Sequence, residues 1–260
     1  MNARTSDFLT VTELAGDEVS GEQLRRVCHR YHWAKQYVAG RDVLEVACGS
    51  GMGLGFLARH ARSLKAGDLS PEVLSRIDRE AARATELQVF DAQELPYSDG
   101  SFDVVILFEA LYYIPSAEGF VREAKRVLRP AGLLLIATAN KDLYDFNASP
   151  FAQTYYGVVE LDRLLATNEF KTEFFGYLRT SDLSTKQRLL RPAKMLAASL
   201  GLIPKTMQRK AWLKRLIFGT PVRAPGTILN VPFEYSPPDP IGRDAADRSH
   251  KVIYCVARSV

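Results

Sequence analysis

An α/β fold on a mostly parallel sheet is predicted by three observations. Short apolar runs alternate with amphipathic segments over most of the chain, which calls for crossover connections and a sheet covered on both faces. The first such run, VLEVACGSGMG at Val43–Gly53, ends in a turn of small residues. A length of 260 residues with 47% hydrophobic composition suits one domain with an insertion rather than several domains.

The elements follow in order. Residues 20–38 carry Leu24, Val27, Cys28, Tyr31, Ala34 and Val38 at helical spacing behind a Ser20/Gln23 capping box, and Gly40 ends them. Asp42 to Ala47 is the first strand, followed by the glycine turn and a helix to about Arg62. Ser63 to Asp68 is the second strand. Ser70 and Pro71 then fit an N-cap and first helical position, opening a helix to about Ala84. Leu87 to Phe90 is a short third strand, PYSDGS a turn and Phe102 to Phe108 a buried fourth strand. A helix runs from Ser116 to Arg129-Pro130, and Gly132 opens a fifth strand, Leu133 to Ala139. Val158 to Thr167 reads as a helix, Glu173 to Leu178 as a sixth strand and Lys251 to Arg258 as a seventh. The expected organisation is a helical lead (1–40), a core (41–181), an insertion (182–248) and the last strand (249–260), all in one domain.

The insertion holds the charge asymmetry. No acid occurs between Asp182 and Glu234, whereas Lys186, Arg188, Arg191, Lys194, Lys205, Arg209, Lys210, Lys214, Arg215 and Arg223 do. The net charge of +4 is therefore concentrated there. After Pro204, Met207, Trp212, Leu213, Leu216 and Ile217 could be buried while lysines and arginines stay wet. That pattern suits a lid packed on the domain, or an interfacial helix at 184–218 touching the inner membrane face. A proline-rich loop with Pro232, Pro237, Pro238 and Pro240 follows. No apolar run is long enough to span a membrane, and the segment MNARTSDFLTVTEL lacks a signal-peptide pattern, so a cytoplasmic protein is expected. Cys28, Cys48 and Cys255 match no zinc or redox spacing, so no metal site is expected.

The glycine turn poses the functional question. Gly49 and Gly51 supply two positions of G-x-G-x-x-G, but the third is Leu54, and no Walker lysine is present. Glu45, near the end of the first strand, would repel a pyrophosphate and attract a cation. S-adenosylmethionine, which carries an ammonium and a sulfonium and no phosphate, fits. VLEVACGSG resembles motif I of the class I S-adenosylmethionine-dependent methyltransferases, with Ala47 where that family usually has glycine; alanine there is expected at negative φ. Asp68 in GDLS, 23 residues after Glu45, matches the family's ribose-binding acid, and Asp91 in VFDAQELP its adenine-binding acid. FDVVILFEALYYI and KRVLRPAGLLLIA resemble the later motifs.

The resemblance, strongest over 43–139, implies a Rossmann-like seven-stranded sheet. It implies a cofactor held by Tyr31, Glu45, Ala47, Cys48, Gly49, Gly51, Asp68, Leu69, Asp91, Ala92 and Phe108, with Tyr31 near the methionyl carboxylate. Glu109 and His32 are the candidates for assisting transfer, with Tyr112 and Tyr113 shaping the acceptor pocket. The acceptor expected is an O or N atom of a small molecule or a glycan, lipid-linked glycans included, with an anionic group matching the basic interval. The NxSPFxxxYYxxxEL pattern at Asn147–Leu161 resembles enzymes of surface glycans. Nucleic acid is disfavoured, because Phe108-Glu109-Ala110-Leu111 replaces the Asn/Asp-Pro-Pro-aromatic tetrapeptide of base methylation. A catalytically silent S-adenosylmethionine-binding protein and an RNA methyltransferase are the alternatives.

Overall fold

The computed structural model of the protein describes residues 14–180 and 221–260. After a short strand β1 (Glu18–Val19), helix α1 runs from Gly21 to Val38. Its start is the predicted capping box: Ser20 Oγ accepts from the Gln23 amide, and the Gln23 side chain accepts from the Ser20 amide. The core elements are β2 (Asp42–Val46), α2 (Leu54–Ala58), β3 (Ser63–Asp68), α3 (Pro71–Leu74), β4 (Thr85–Val89), β5 (Phe102–Phe108), α4 (Ala117–Val127) and β6 (Leu128–Ala139). Then come α5 (Val158–Thr167), β7 (Phe170–Arg179), β8 (Val222–Arg223), β9 (Asp239–Ile241) and β10 (His250–Ser259).

Eight strands form the main sheet in the order β4-β3-β2-β5-β6-β10-β7-β9. The pairs from β4 to β6 are parallel, whereas β10 runs antiparallel between β6 and β7. The expected α/β architecture with a mostly parallel sheet is the one observed. The strand beyond the expected seven is β9, drawn from the proline-rich loop and paired antiparallel to β7. An edge position tolerates Pro240, whose missing N–H would break an interior ladder.

Alternation along the strands divides the core. Val43, Val104, Leu133 and Leu135 face α1 and α2; Leu44, Val105, Leu134 and Ile136 face α4 and α5. Glu45 shares the parity of Val43, so its side chain points to the α1 side. From β2 the chain winds outward to β3 and β4, then returns to β5 on the other flank. That reversal opens a crevice at the carboxyl ends of β2 and β5, where open parallel sheets bind ligands.

Two helices are shorter than the periodicity predicts. α2 stops at Ala58, four residues before Arg62, in a turn where the His60 amide bonds the Leu57 carbonyl. α3 stops at Leu74 because Asp78 Oδ1 accepts from the amides of Glu80 and Ala81, a local turn that competes with helix. β6 is longer than predicted: Leu128 already pairs with Phe102 ahead of the irregularity at Ala131, whose φ is 60°.

The expectations placed on 184–218, a lid or an interfacial helix, lie outside the described residues apart from the sequence itself. The described part of the insertion returns over the glycine turn. β8 pairs with β1, and the Ile228 amide bonds the Met52 carbonyl. Among the described residues no helix is long and apolar enough to cross a membrane.

Candidate active site

The turn after β2 is built on left-handed backbone. Gly49 and Gly51 have φ of 57° and 71°, and Ala47 has φ of 54°. The expectation of negative φ at Ala47 is therefore corrected. The strand must bend there so that the Cys48 amide can reach the Gly67 carbonyl at 3.0 Å, and alanine holds a conformation glycine adopts freely, at a cost of about 1 kcal/mol. Gly53 has a separate reason to be glycine. A Cβ there would sit 2.0 Å from Cζ of Tyr31, so the bare backbone admits that ring.

The Tyr31 ring in turn brings its hydroxyl to Glu45. The hydroxyl donates to Oε1 at 2.6 Å, while Oε2 is buried without a partner. Burial pushes the Glu45 carboxyl up to about 7, against the Tyr31 hydrogen bond and the nearby Arg30 charge. The same burial, with Glu45 beside it, drives the Tyr31 phenol well above its usual range. At the next strand end, Asp68 accepts from the Gly49 amide (3.1 Å) and the Ser70 amide (3.0 Å), linking the glycine turn to the start of α3. Burial raises its carboxyl as well. Asp91, past the end of β4, accepts from the Gln93 amide at 2.8 Å.

These residues line one cavity of about 740 Å³, in the range of small-ligand sites. Tyr31, Glu45, Ala47, Cys48, Gly49, Asp68, Leu69, Asp91, Ala92 and Phe108 all contribute to its wall. Gly51 stands behind the turn, against Leu54 and Ile77. The hydroxyl of Tyr31 is committed to Glu45 rather than left for a methionyl carboxylate.

The far end of the cavity is differently built. Glu109, just past β5, also has left-handed backbone (φ 54°) and bonds through its amide to the Ala137 carbonyl at 2.7 Å. Its Oε1 pairs with Arg26 Nη2 at 2.7 Å, and its Oε2 accepts from the Tyr112 hydroxyl at 3.1 Å. Burial alone would raise this carboxyl. Arg26 and Arg30 outweigh it and hold Glu109 below the usual carboxylate range. Tyr112 and Tyr113 line this end, with Tyr155 stacked on Tyr112 at 4.5 Å between ring centroids.

The structure does not bring His32 to the cavity. Its Nδ1 donates to the Cys28 carbonyl at 2.8 Å, and its ring packs among Phe56, Phe233 and Tyr235. Among the wall residues missed in the sequence are Gln23, Arg26, Arg30 and Gln153. The first three share with Val27 a face of α1 at spacings of three and four. The sequence reading of this helix took up its capping box and apolar stripe alone. Their proximity to Tyr31 was the available signal.

The chain has the parts for the cofactor that the sequence implied. An unpartnered, buried carboxylate oxygen at the head of the turn suits an ammonium and disfavours a phosphate. The fold is that of the class I S-adenosylmethionine-dependent methyltransferases, and the likeness to methyltransferases carries S-adenosylmethionine as the cofactor. More particularly, residues 44–136 match the family described as "Methyltransferase domain".

Among similar proteins, a probable S-adenosylmethionine-dependent methyltransferase of Mycolicibacterium smegmatis is 33% identical over 153 residues, 57% of this chain and 56% of the relative. A phthiotriol/phenolphthiotriol dimycocerosates methyltransferase of Mycobacterium ulcerans is 38% identical over 123 residues, 45% of each chain. A ubiquinone biosynthesis O-methyltransferase of Xanthomonas oryzae pv. oryzae is 30% identical over 165 residues, 59% of this chain and 66% of the relative. The chain spans about half the length of the first curated relatives it matches.

Among solved structures, a possible histamine N-methyltransferase of Thermotoga maritima aligns with a TM-score of 0.58 at 14% identity, covering 91% of this chain and 90% of that one. The [4+2]-cyclase SpnF aligns with a TM-score of 0.57 at 18% identity, covering 95% and 86%. At such identities the likeness is of fold alone, and a cyclase among the neighbours is a reminder that fold does not fix the reaction.

Proposed function

We propose that this chain transfers a methyl group from S-adenosylmethionine to a small-molecule acceptor that enters beside Glu109. The observation that carries the reading is the buried Glu45 carboxyl, with Oε2 unpartnered, in a cavity also lined by Asp68 and Asp91.

In this reading Glu45 takes the ammonium group, and backbone N–H groups at the glycine turn take the carboxylate. Asp68 accepts from the ribose hydroxyls, and Asp91 with the Ala92 amide reads the adenine edge. Bound there, S-adenosylmethionine supplies an electrophilic methyl group on a sulfonium. The protein's task is then alignment and exclusion of water. Tyr112, Tyr113 and Glu109 form the wall against which the acceptor is held. Relatives named for ubiquinone biosynthesis and for phthiotriol dimycocerosates support a small-molecule acceptor rather than nucleic acid. Arg26 and Arg30 support an acceptor with anionic character.

Calorimetry tests the cofactor half. Asp68→Ala should weaken S-adenosylmethionine binding at least tenfold, on the order of 1.4 kcal/mol. Unchanged affinity contradicts the ribose assignment. Release of S-adenosylhomocysteine in the presence of metabolite extracts tests the transfer half; silence across extracts favours a protein that binds the cofactor without turning it over.

A further inference from the structure

We infer that the acceptor oxygen is itself acidic, a phenol or an enol on a planar body, and that it is bound as the oxyanion between Arg26 and the reacting methyl. This rests on the methyl-transfer reading above and names its substrate class.

The first argument concerns proton removal. An aliphatic hydroxyl must lose its proton as it attacks, which requires a base tuned near neutral pH. The chain contains four histidines, and all four lie away from the cavity wall. His29 donates from Nε2 to the Ser236 carbonyl and accepts at Nδ1 from the Tyr254 hydroxyl. His32 donates to the Cys28 carbonyl, His60 packs edge-on against Phe56, and His250 sits between Asp239 and Asp247. Among the described residues Glu109 is the carboxylate at the acceptor end, and both its oxygens are engaged, by Arg26 and by Tyr112. Arg26 holds it below the usual range, so it is a poor proton acceptor.

The second argument concerns charge. Among the described residues the acceptor end carries the guanidinium groups of Arg26 and Arg30 against one carboxylate, Glu109. Glu45, deeper in the cavity, is paired with the cofactor's ammonium group in this reading and so adds little net negative potential. A protonated amine entering here faces two arginines; an oxyanion is stabilised by them. The third argument concerns shape. Phe108, Tyr112 and Tyr113 line this end, with Tyr155 stacked behind Tyr112, offering ring faces to a flat ligand.

The step balances without a further reactant. A lone pair on the acceptor oxyanion forms the O–CH₃ bond as the S–CH₃ bond breaks, and the S–C electron pair stays on sulfur. One negative and one positive charge disappear together, giving a methyl ether and neutral S-adenosylhomocysteine.

The test uses the full chain loaded with S-adenosylhomocysteine and a panel of nitrophenols, whose ionised forms absorb at longer wavelength. Bound phenol should ionise at a lower pH than free phenol. Arg26→Met should move that midpoint back upward and Glu109→Gln should move it further down; opposite shifts are not what two merely structural lesions produce. With S-adenosylmethionine in place, phenols should turn over at least 100-fold faster than cyclohexanol, a methyl glycoside or benzylamine. The inference is overturned if the neutral phenol binds preferentially. It is equally overturned if the alcohol, glycoside or amine is methylated as well as the phenols. It also fails if no phenol binds protein that still binds S-adenosylhomocysteine, an outcome that leaves the cofactor assignment standing. Failure to bind S-adenosylhomocysteine at all would remove both.

Discussion

The two ends of the cavity each place a glutamate, Glu45 buried and Glu109 partly buried, beside an arginine-bearing helix, and their carboxyls shift in opposite directions. At the cofactor end Glu45 has a neutral partner, the Tyr31 hydroxyl, and burial wins: its carboxyl is pushed up to about 7. At the acceptor end Glu109 has a cationic partner in Arg26, and despite burial it is held below the usual range. The lesson is that location alone does not set the role of an acid. A neutral partner leaves the Glu45 carboxyl raised toward neutral pH, and a cationic one makes Glu109 a fixed negative charge that is already satisfied.

The comparison breaks or sharpens on measurable consequences, of which the pH dependence of stability is the largest. The native Glu45 carboxyl is raised from 4.5 to about 7, so its contribution to stability is full below about 4.5 and is lost as pH rises through 7. Glu45→Gln removes that loss. Urea unfolding of the cofactor-free protein should show the variant gaining about 3 kcal/mol on the wild type between pH 4 and pH 8. Parallel curves would mean that Glu45 is ionised in the empty site.

Glu109 carries the opposite sign. Its lowered carboxyl contributes stability above the unfolded value that is lost as pH falls. Glu109→Gln should therefore be less stable than wild type by about 2 kcal/mol at pH 7, because Arg26 loses its anion, and the deficit should shrink toward pH 3. A deficit that grows on acidification would undo the contrast. The smallest effect concerns the turn itself. Ala47→Gly should leave the fold intact and stabilise it by up to about 1 kcal/mol in thermal unfolding, because glycine meets the left-handed φ without strain. A destabilised variant would show that the Ala47 methyl packs more than it strains.

Much of the cofactor end was legible in the sequence because strand ends are local features. The run from Asp42 and the cap at Ser20 follow from periodicity, Glu45 from its place near a strand end, and Asp68 and Asp91 were singled out by what the family resemblance implies. The acceptor end was legible only at Glu109, Tyr112 and Tyr113, which follow a strand directly. Arg26 and Arg30 drew no reading, since nothing local says that the first turns of α1 lean over the crevice. His32 was placed near the chemistry because it lies on the helix before the glycine turn, but its ring turns toward Phe56 and Phe233 instead. Ala47 was read with the wrong sign of φ because composition favours the ordinary region, while the bond from Cys48 to Gly67 demands the other. β9 escaped notice because three prolines between 237 and 240 argue against strand everywhere except at an edge.

The central claim is that a buried, proton-bearing carboxyl at the mouth of β2 gives up its proton to receive a cationic, phosphate-free nucleoside. Titration calorimetry of S-adenosylmethionine at pH 6.5, in buffers of different ionisation heat, tests it most directly. Roughly one half to one proton should be released per site, with affinity rising toward pH 8, and the release should vanish in Glu45→Gln. Binding with no proton released and no change in affinity between pH 6 and 8, or tighter binding of a nicotinamide dinucleotide at the same turn, would contradict it.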